Sequence, residues 1–290
     1  MISKDNKQNN EVYILGSETV DKKNNVSTKK KWLIISAAVL VIISAILILI
    51  VLSNKEQTPE YYFEPEIVEQ QSISVSTGNT ELTGKEGYLE IVKETINDVP
   101  LRVFIPHQAT MSLSIGMPDR LDSTLIFAAM AADIRKDNQQ IVGDFVLSGK
   151  RLARGVAKKG FCAIDNETVT IGVGESTPLL QKVIENNGSF FRQYPLVHNG
   201  ELVENKPKNK SIRRALAVRN GQIIMVMSLN NESFHDFSQA LIDIGVSDAI
   251  YLVGGNAYGW YYDKDNIRYE FGEDQTEIPE NISYITWQIK

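Results

Sequence analysis

At 290 residues and 43% hydrophobic content, the chain can hold a short appendage and one domain with a substantial core, which excludes wholesale disorder. The net charge of −6 is unevenly spread: residues 1–31 hold seven lysines against four acidic residues, leaving −9 on the remainder and arguing against nucleic acid or anionic lipid as its main partner. A single cysteine excludes a disulfide framework. The three histidines, His107, His198 and His235, lack metal-ligand spacing, so neither a zinc site nor a Ser-His-Asp mechanism is expected, nor any cofactor or metal.

In chain order, residues 1–31 read as a cytoplasmic tail. Trp32 to Leu52 (WLIISAAVLVIISAILILIVL) carries no charge and is long enough, as a helix, to cross a bilayer core. Its flanks lack a clear cleavage site, so it reads as an uncleaved transmembrane anchor and not as a removed signal. Lys22, Lys23, Lys29, Lys30 and Lys31 precede it and Lys55 follows, so the positive-inside rule puts the N-terminus in the cytoplasm and everything downstream outside, periplasmic or extracellular. Residues 53–87, rich in polar residues with Pro59 and Pro65, read as a flexible linker.

Residues 88–290 then form one domain without a detectable repeat. Strands are expected over Leu101–Ile105, Gln140–Val146, Thr168–Val173, Arg214–Val218, Gln222–Ser228, Ala249–Val253 and Ile282–Ile289. Helices are expected from Asp122 or Ser123 (DSTLIFAAMAADIRK), from Thr177 with Pro178 at the first helical position, and from Ser233. The last is the best specified. Ser233 and Asp236 approximate a capping box, Phe234, Phe237, Leu241 and Ile244 make an apolar stripe, and Gly245 closes it. The fold class is α+β: a single mixed-sheet domain with a few helices, preceded by one N-terminal transmembrane helix.

Several segments follow one another in a recognisable order: QIVGDF and a basic glycine-containing loop, QYPLVHNGELVEN, SIRRALAVRNGQIIMVM, and SFHDFSQALIDIGVSDAIYLVGG. This order resembles the phosphodiester glycosidase family, over roughly Leu101 to Asp263. The resemblance implies an α+β fold with a cleft bordered by these motifs, and removal of N-acetylglucosamine from a sugar-phosphate diester. The family's Asn-Gly-Asp-Phe motif falls on Val142, Gly143, Asp144 and Phe145, and its Arg-Thr-Ala on Arg213, Arg214 and Ala215. The acidic residue of its Thr-x-x-Glu helix start falls on Asp236. Its Asn-Leu-Asp-Gly-Gly-Gly-Ser falls on Tyr251, Leu252, Val253, Gly254, Gly255, Asn256 and Ala257. Val142, Tyr251, Val253 and Ala257 depart from that pattern. Val253 matters most, because valine can neither move a proton nor stabilise positive charge at an anomeric carbon.

Glycosidic chemistry calls for two facing carboxyl groups. Asp144 and Asp236 are the candidate catalytic residues, with Asp248, Asp263 and Glu175 as further carboxylates. Asp144 sits in an apolar strand, where a charge suggests a cleft or a pair; the alternative is an exposed strand-end residue beside Gly143. Asp236 fits better as a helix-start carboxylate facing free N–H groups. Arg213 and Arg214, on opposite faces of a strand, are expected to divide between a phosphate-binding cleft and solvent. Gly254, Gly255 and Asn256 let backbone approach a ligand. Tyr258 and Trp260 share a strand face with Tyr262, opposite Tyr261, and either line the core or stack on a sugar. Lys150, Arg151, Arg154, Lys158 and Lys159 make a basic loop that would attract an anionic substrate, and Cys162 reads as core.

Two functions compete, and the ordered resemblance puts the enzyme first. One is a membrane-anchored hydrolase of a sugar-1-phosphate diester, or of an envelope or exopolysaccharide glycan, with a carbohydrate or sugar-phosphate substrate and no nucleic acid. The other is a non-catalytic glycan- or phosphoglycan-binding relative, or an envelope assembly protein with an unassigned protein partner.

Overall fold

Every strand ladder in the folded region is antiparallel, as the many short turn-linked apolar runs require. The computed structural model describes residues 87–274 and 279–289, the backbone of Ser72–Ser76 and, upstream, Val41 and Ser44. Both upstream residues are helical, with the Ser44 hydroxyl donating to the Val41 carbonyl at 2.8 Å. The rest of the expected anchor at 32–52 lies outside the described residues, as do the tail and most of the linker. Among the described residues no helix is long and apolar enough to cross a membrane.

Three sheets share one interior. The first contains β1 (Ser72–Ser76), β6 (Phe145–Leu147), β7 (Lys150–Ala153), β8 (Gly160–Asp165), β9 (Thr168–Val173) and β10 (Ser189–Gln193), in the order β1-β9-β8-β10-β6-β7. The second contains β2 (Tyr88–Ile96), β3 (Val99–His107), β11 (Pro195–His198), β12 (Glu201–Leu202), β13 (Arg214–Arg219), β14 (Gln222–Ser228) and β15 (Val246–Leu252), in the order β12-β11-β15-β13-β14-β3-β2. The third contains β4 (Ala109–Ile115), β5 (Leu125–Met130), β16 (Gly259–Tyr262), β17 (Arg268–Phe271) and β18 (Ser283–Ile289), in the order β17-β16-β5-β18-β4.

Strand alternation explains how one chain fills several cores. Leu216 and Val218 of β13 point into the interior shared by all three sheets, with Phe104, Phe127, Phe191 and Trp287. Ala215 and Ala217, one step out of phase, face the other side of the sheet. There α2 (Phe234–Asp243) lays Phe234, Phe237, Leu241 and, past its end, Ile244 against them. On the first sheet α1 (Pro178–Glu185) packs Val183, Leu179 and Ile184 over Phe161 and Phe190.

Both helices are bounded as their sequences predict. Thr177 caps α1 by accepting from Leu179 N–H at 3.3 Å, and Pro178 takes the first turn. Ser233 caps α2 by accepting from Asp236 N–H at 3.0 Å, and Gly245 leaves it at φ +87°.

The expected helix from Asp122 is instead a turn and the strand β5. The Asp122 carboxylate accepts from the Thr124 N–H at 2.9 Å and hydroxyl at 2.6 Å, which directs the chain into an extended run. LIFAAM is buried at every position between β16 and β18, so its apolar face has no period, and a doubly covered strand of this kind looks like a buried helix. The strand expected over Gln140–Val146 is shortened to β6, because Gly143 turns the chain at φ +90°. Ser72–Ser76, which the sequence places in the linker, pair with β9 as β1.

Candidate functional site

The end of β5 organises the site. After Met130 the chain leaves the sheet but stays pinned on both sides: Val253 N–H donates to the Met130 carbonyl at 3.2 Å, and Val142 N–H to the Asp133 carbonyl at 2.8 Å. Between these contacts opens a cleft of about 450 Å³, lined by Met130, Ala132, Asp133, Ile134, Lys136, Val142, Lys158, Tyr194, Val253 and Ile282. The two motif positions that carry valine, far apart in sequence, thus form parts of one wall. Asp133 is the one carboxylate in the lining among the described residues, with its side chain 31% exposed.

Asp133 is held by Lys158, whose ammonium forms an ion pair with it and donates to the Gln193 side-chain carbonyl at 3.0 Å. Lys158 also sits 4.5 Å from the centre of the Tyr194 ring, a cation–π contact. Burial pulls the Lys158 pKa below its usual value, against the opposing charge and hydrogen bond of Asp133. The pair is a mutual necessity: neither partner could be removed without leaving a poorly solvated charge.

Asp144 does not line this cleft; it lies beneath it. Its carboxylate takes an ion pair from Arg151, a second from the Arg192 Nε at 3.0 Å and a hydrogen bond from Gly155 N–H at 3.2 Å. Burial pushes its pKa up, but the hydrogen bonds from Arg151, Gly155 and Arg192 outweigh that and hold the carboxyl below its ordinary value. It is therefore buried and ionised, not an exposed strand end. Arg192, itself fully buried, passes the link on by donating to the carbonyls of Gly174 at 2.7 Å, Glu175 at 2.6 Å and Lys158 at 3.3 Å. A side chain on Gly143 would meet Arg192 Cβ at 3.0 Å, so glycine there lets this network close.

Arg213 and Arg214 do lie on opposite faces, but neither reaches solvent. Arg213 is buried beneath α2, 4.1 Å from the Phe234 ring centre, donating to the Glu232 carbonyl at 2.9 Å and to the Asn209 carbonyl. Arg214 faces the interior and donates to the carbonyls of Val253 at 2.8 Å and Gly255 at 3.1 Å. No carboxylate meets it among the described residues, and burial lowers its pKa to about 10 despite the favourable Tyr251 charge. Arg214 thus fixes the backbone of the glycine turn, and Arg213 ties the Asn209 and Glu232 segments together.

That turn is tightly seated. Gly254 has no room for a side chain: a Cβ would fall 2.2 Å from the Ile212 carbonyl oxygen and 2.5 Å from the Tyr251 hydroxyl. The Tyr251 hydroxyl accepts from Gly254 N–H at 3.0 Å, and Gly255, at φ +59°, donates to the Ile212 carbonyl at 2.8 Å. Asn256 is exposed and donates to Glu273 at 2.8 Å. Tyr258 and Trp260 pack with Tyr284 in the cluster behind the third sheet, Trp260 wholly buried, so neither offers an open ring face to a sugar. Tyr261 faces the shared interior, as the alternation predicts.

Asp236 stands apart from Asp144, in a polar groove with Glu232, His235 and Asp243, its carboxylate 3.7 Å from the Lys210 ammonium. The two share no bonding partner among the described residues. The basic loop is largely neutralised: Arg151 by Asp144, Lys158 by Asp133 and Lys159 by Glu175 at 3.1 Å. Among the described residues no three His, Cys, Asp or Glu side chains converge to hold a metal ion.

The sequence reading missed Asp133, hidden inside the expected helix, and Arg192. Arg192 carries the same signal that singled out Asp144, a charge inside an apolar run (SFFRQYPL).

The structure of the zebrafish N-acetylglucosamine-1-phosphodiester α-N-acetylglucosaminidase catalytic domain, auto-inhibited by its pro-peptide, resembles this fold with a TM-score of 0.52 at 15% identity, over 76% of this chain and 88% of that one. A hypothetical protein from Synechocystis superposes with a TM-score of 0.45 at 12% identity, over 71% of this chain and 62% of that one. No curated protein matches the chain. The model of the phosphodiester glycosidase family matches residues 124–283, more than half of the chain and all of the cleft lining, and the chain belongs to that family.

Proposed function

We propose that the cleft binds a sugar-phosphate diester without hydrolysing it by a two-carboxylate route, and that the domain is held outside the cell membrane by residues 32–52. The observation that carries the reading is the composition of the cleft: Val142 and Val253 on its wall, with Asp133, its one carboxylate, engaged by Lys158. Glycosidases of the usual kind use one carboxyl as acid and a second as base or nucleophile. Here no second carboxylate lines the cleft among the described residues. What remains suits recognition. Lys136 is exposed at the cleft and meets no carboxylate among the described residues, which leaves it for the single negative charge of a diester. The apolar wall of Met130, Val142, Val253 and Ile282 suits the C–H face of a sugar ring. By analogy with the zebrafish enzyme's name, an N-acetylglucosamine diester is the first ligand to test.

Titrating the full-length protein with methyl N-acetylglucosamine-1-phosphate diester should give saturable binding. Lys136→Gln should weaken it about tenfold, the worth of one charge-assisted hydrogen bond. Absence of binding, or indifference to that substitution, would remove the reading. The anchor is tested separately: protease added to spheroplasts should degrade residues 88–290, and their protection there, with degradation once the membrane is lysed, would reverse the proposed orientation.

A further inference from the structure

A second groove, sharing no lining residue with the cleft, runs between β2, the outer strand of the second sheet, and β17, the outer strand of the third. Its volume is about 590 Å³, and its walls include Tyr88, Lys93, Arg102, Lys264 and Tyr269. Tyr88 and Tyr269 are 42% and 43% exposed, unusual for rings in this domain. Each is braced from behind: Tyr269 stacks on Tyr261 with centres 5.3 Å apart, and Tyr88 on His107 at 4.5 Å. A braced, half-exposed ring is a stacking platform that costs little entropy to use.

Three acids and three cations line the groove: Glu90, Asp263 and Glu270 with Lys93, Arg102 and Lys264. The acids have partners: Glu90 meets His107 at 2.8 Å, Glu270 meets Arg268 at 3.0 Å, and Asp263 accepts from the N–H groups of Asp265 and Ile267, each at 2.9 Å. None of the three cations pairs with a carboxylate among the described residues. Lys93 and Arg102 are moreover direct cross-strand partners on β2 and β3, both lining the groove, a like-charge pairing that costs stability unless an anion lies between them. Arg102 donates one N–H to the Tyr261 hydroxyl at 3.0 Å, while its Nε is buried without an acceptor.

We infer that this groove binds an anionic saccharide, a sugar ring stacked on Tyr269 with its phosphate or carboxylate held by Lys93 and Arg102. An extended peptide adding to β2 fits less well, because Glu90, Lys93 and Glu94 give that edge the charges that deter strand addition. The choice of a saccharide leans on the glycan-directed reading of the family; the groove and its charges do not depend on what the cleft does.

The test uses the full-length protein with three probes: trigalacturonate, glucose 1-phosphate and neutral trigalactose. Saturable binding of trigalacturonate, glucose 1-phosphate or both is expected, at least tenfold tighter than trigalactose; their ratio tells whether carboxylate or phosphate is preferred. Lys93→Gln and Tyr269→Ala should each weaken the anionic probe about five- to tenfold, while the exposed cleft substitution Lys136→Gln leaves it unchanged. Lys93→Gln should also leave the ligand-free melting temperature equal or higher, since it removes a repulsion. The inference is overturned by no binding of either anionic probe, by equal affinity for trigalactose, by indifference to both substitutions, or by loss of binding in Lys136→Gln, which would place the ligand in the cleft.

Discussion

Asp144 illustrates how a conspicuous charge can serve a site without entering it. Two arginines and one backbone N–H saturate its carboxylate, and through Arg192 it fixes the backbone of Lys158, the residue that in turn engages Asp133. Asp144→Asn would leave Arg151 and the fully buried Arg192 without their counter-charge, and should destabilise the protein by about 3–5 kcal/mol in denaturant unfolding at neutral pH. The pH dependence has a definite sign. Because the folded pKa is depressed, the stabilisation is complete above the ordinary carboxylate pKa of about 4 and disappears as pH falls through the lower folded value. The gap between the native protein and Asp144→Asn should therefore shrink below about pH 4. A gap independent of pH would mean that the substitution acts through packing instead.

At the scale of elements, legibility followed how local the determining interaction is. The helix α2 was readable because its cap, stripe and terminating glycine all lie within a dozen or so consecutive residues. Ser233→Ala should cost about 1 kcal/mol, the usual worth of such a cap, read as a shift in the unfolding midpoint at constant slope. The strands β9, β13, β14 and β18 were equally visible as apolar runs. β5 was not, because an alanine-containing run covered on both faces has no period, and only its sheet neighbours decide between helix and strand. That one misreading concealed Asp133, which stands just beyond the end of β5. The cleft was half legible: the order of motifs pointed to Val142 and Val253, but the Asp133–Lys158 pair joins residues whose proximity only the folded chain reveals.

For the whole molecule, three antiparallel sheets around a shared interior bring the edges of several strands to one cleft and leave two outer strands to frame a separate groove. The same framework in the zebrafish enzyme supports catalysis on a phosphodiester, so fold alone does not decide activity here. The decision rests on side chains. A wall carrying valines at two motif positions offers an apolar surface but transfers no proton, and the one carboxylate among the described lining residues is tied to a buried lysine. The most direct measurement is sugar release by the full-length protein from a nitrophenyl phosphodiester of N-acetylglucosamine, followed alongside ligand binding and repeated with Asp133→Asn. Saturable binding with no release above the uncatalysed background is the predicted result. Release above that background would contradict it, and its loss in an Asp133→Asn protein that still unfolds cooperatively would make Asp133 the catalytic group of a working hydrolase.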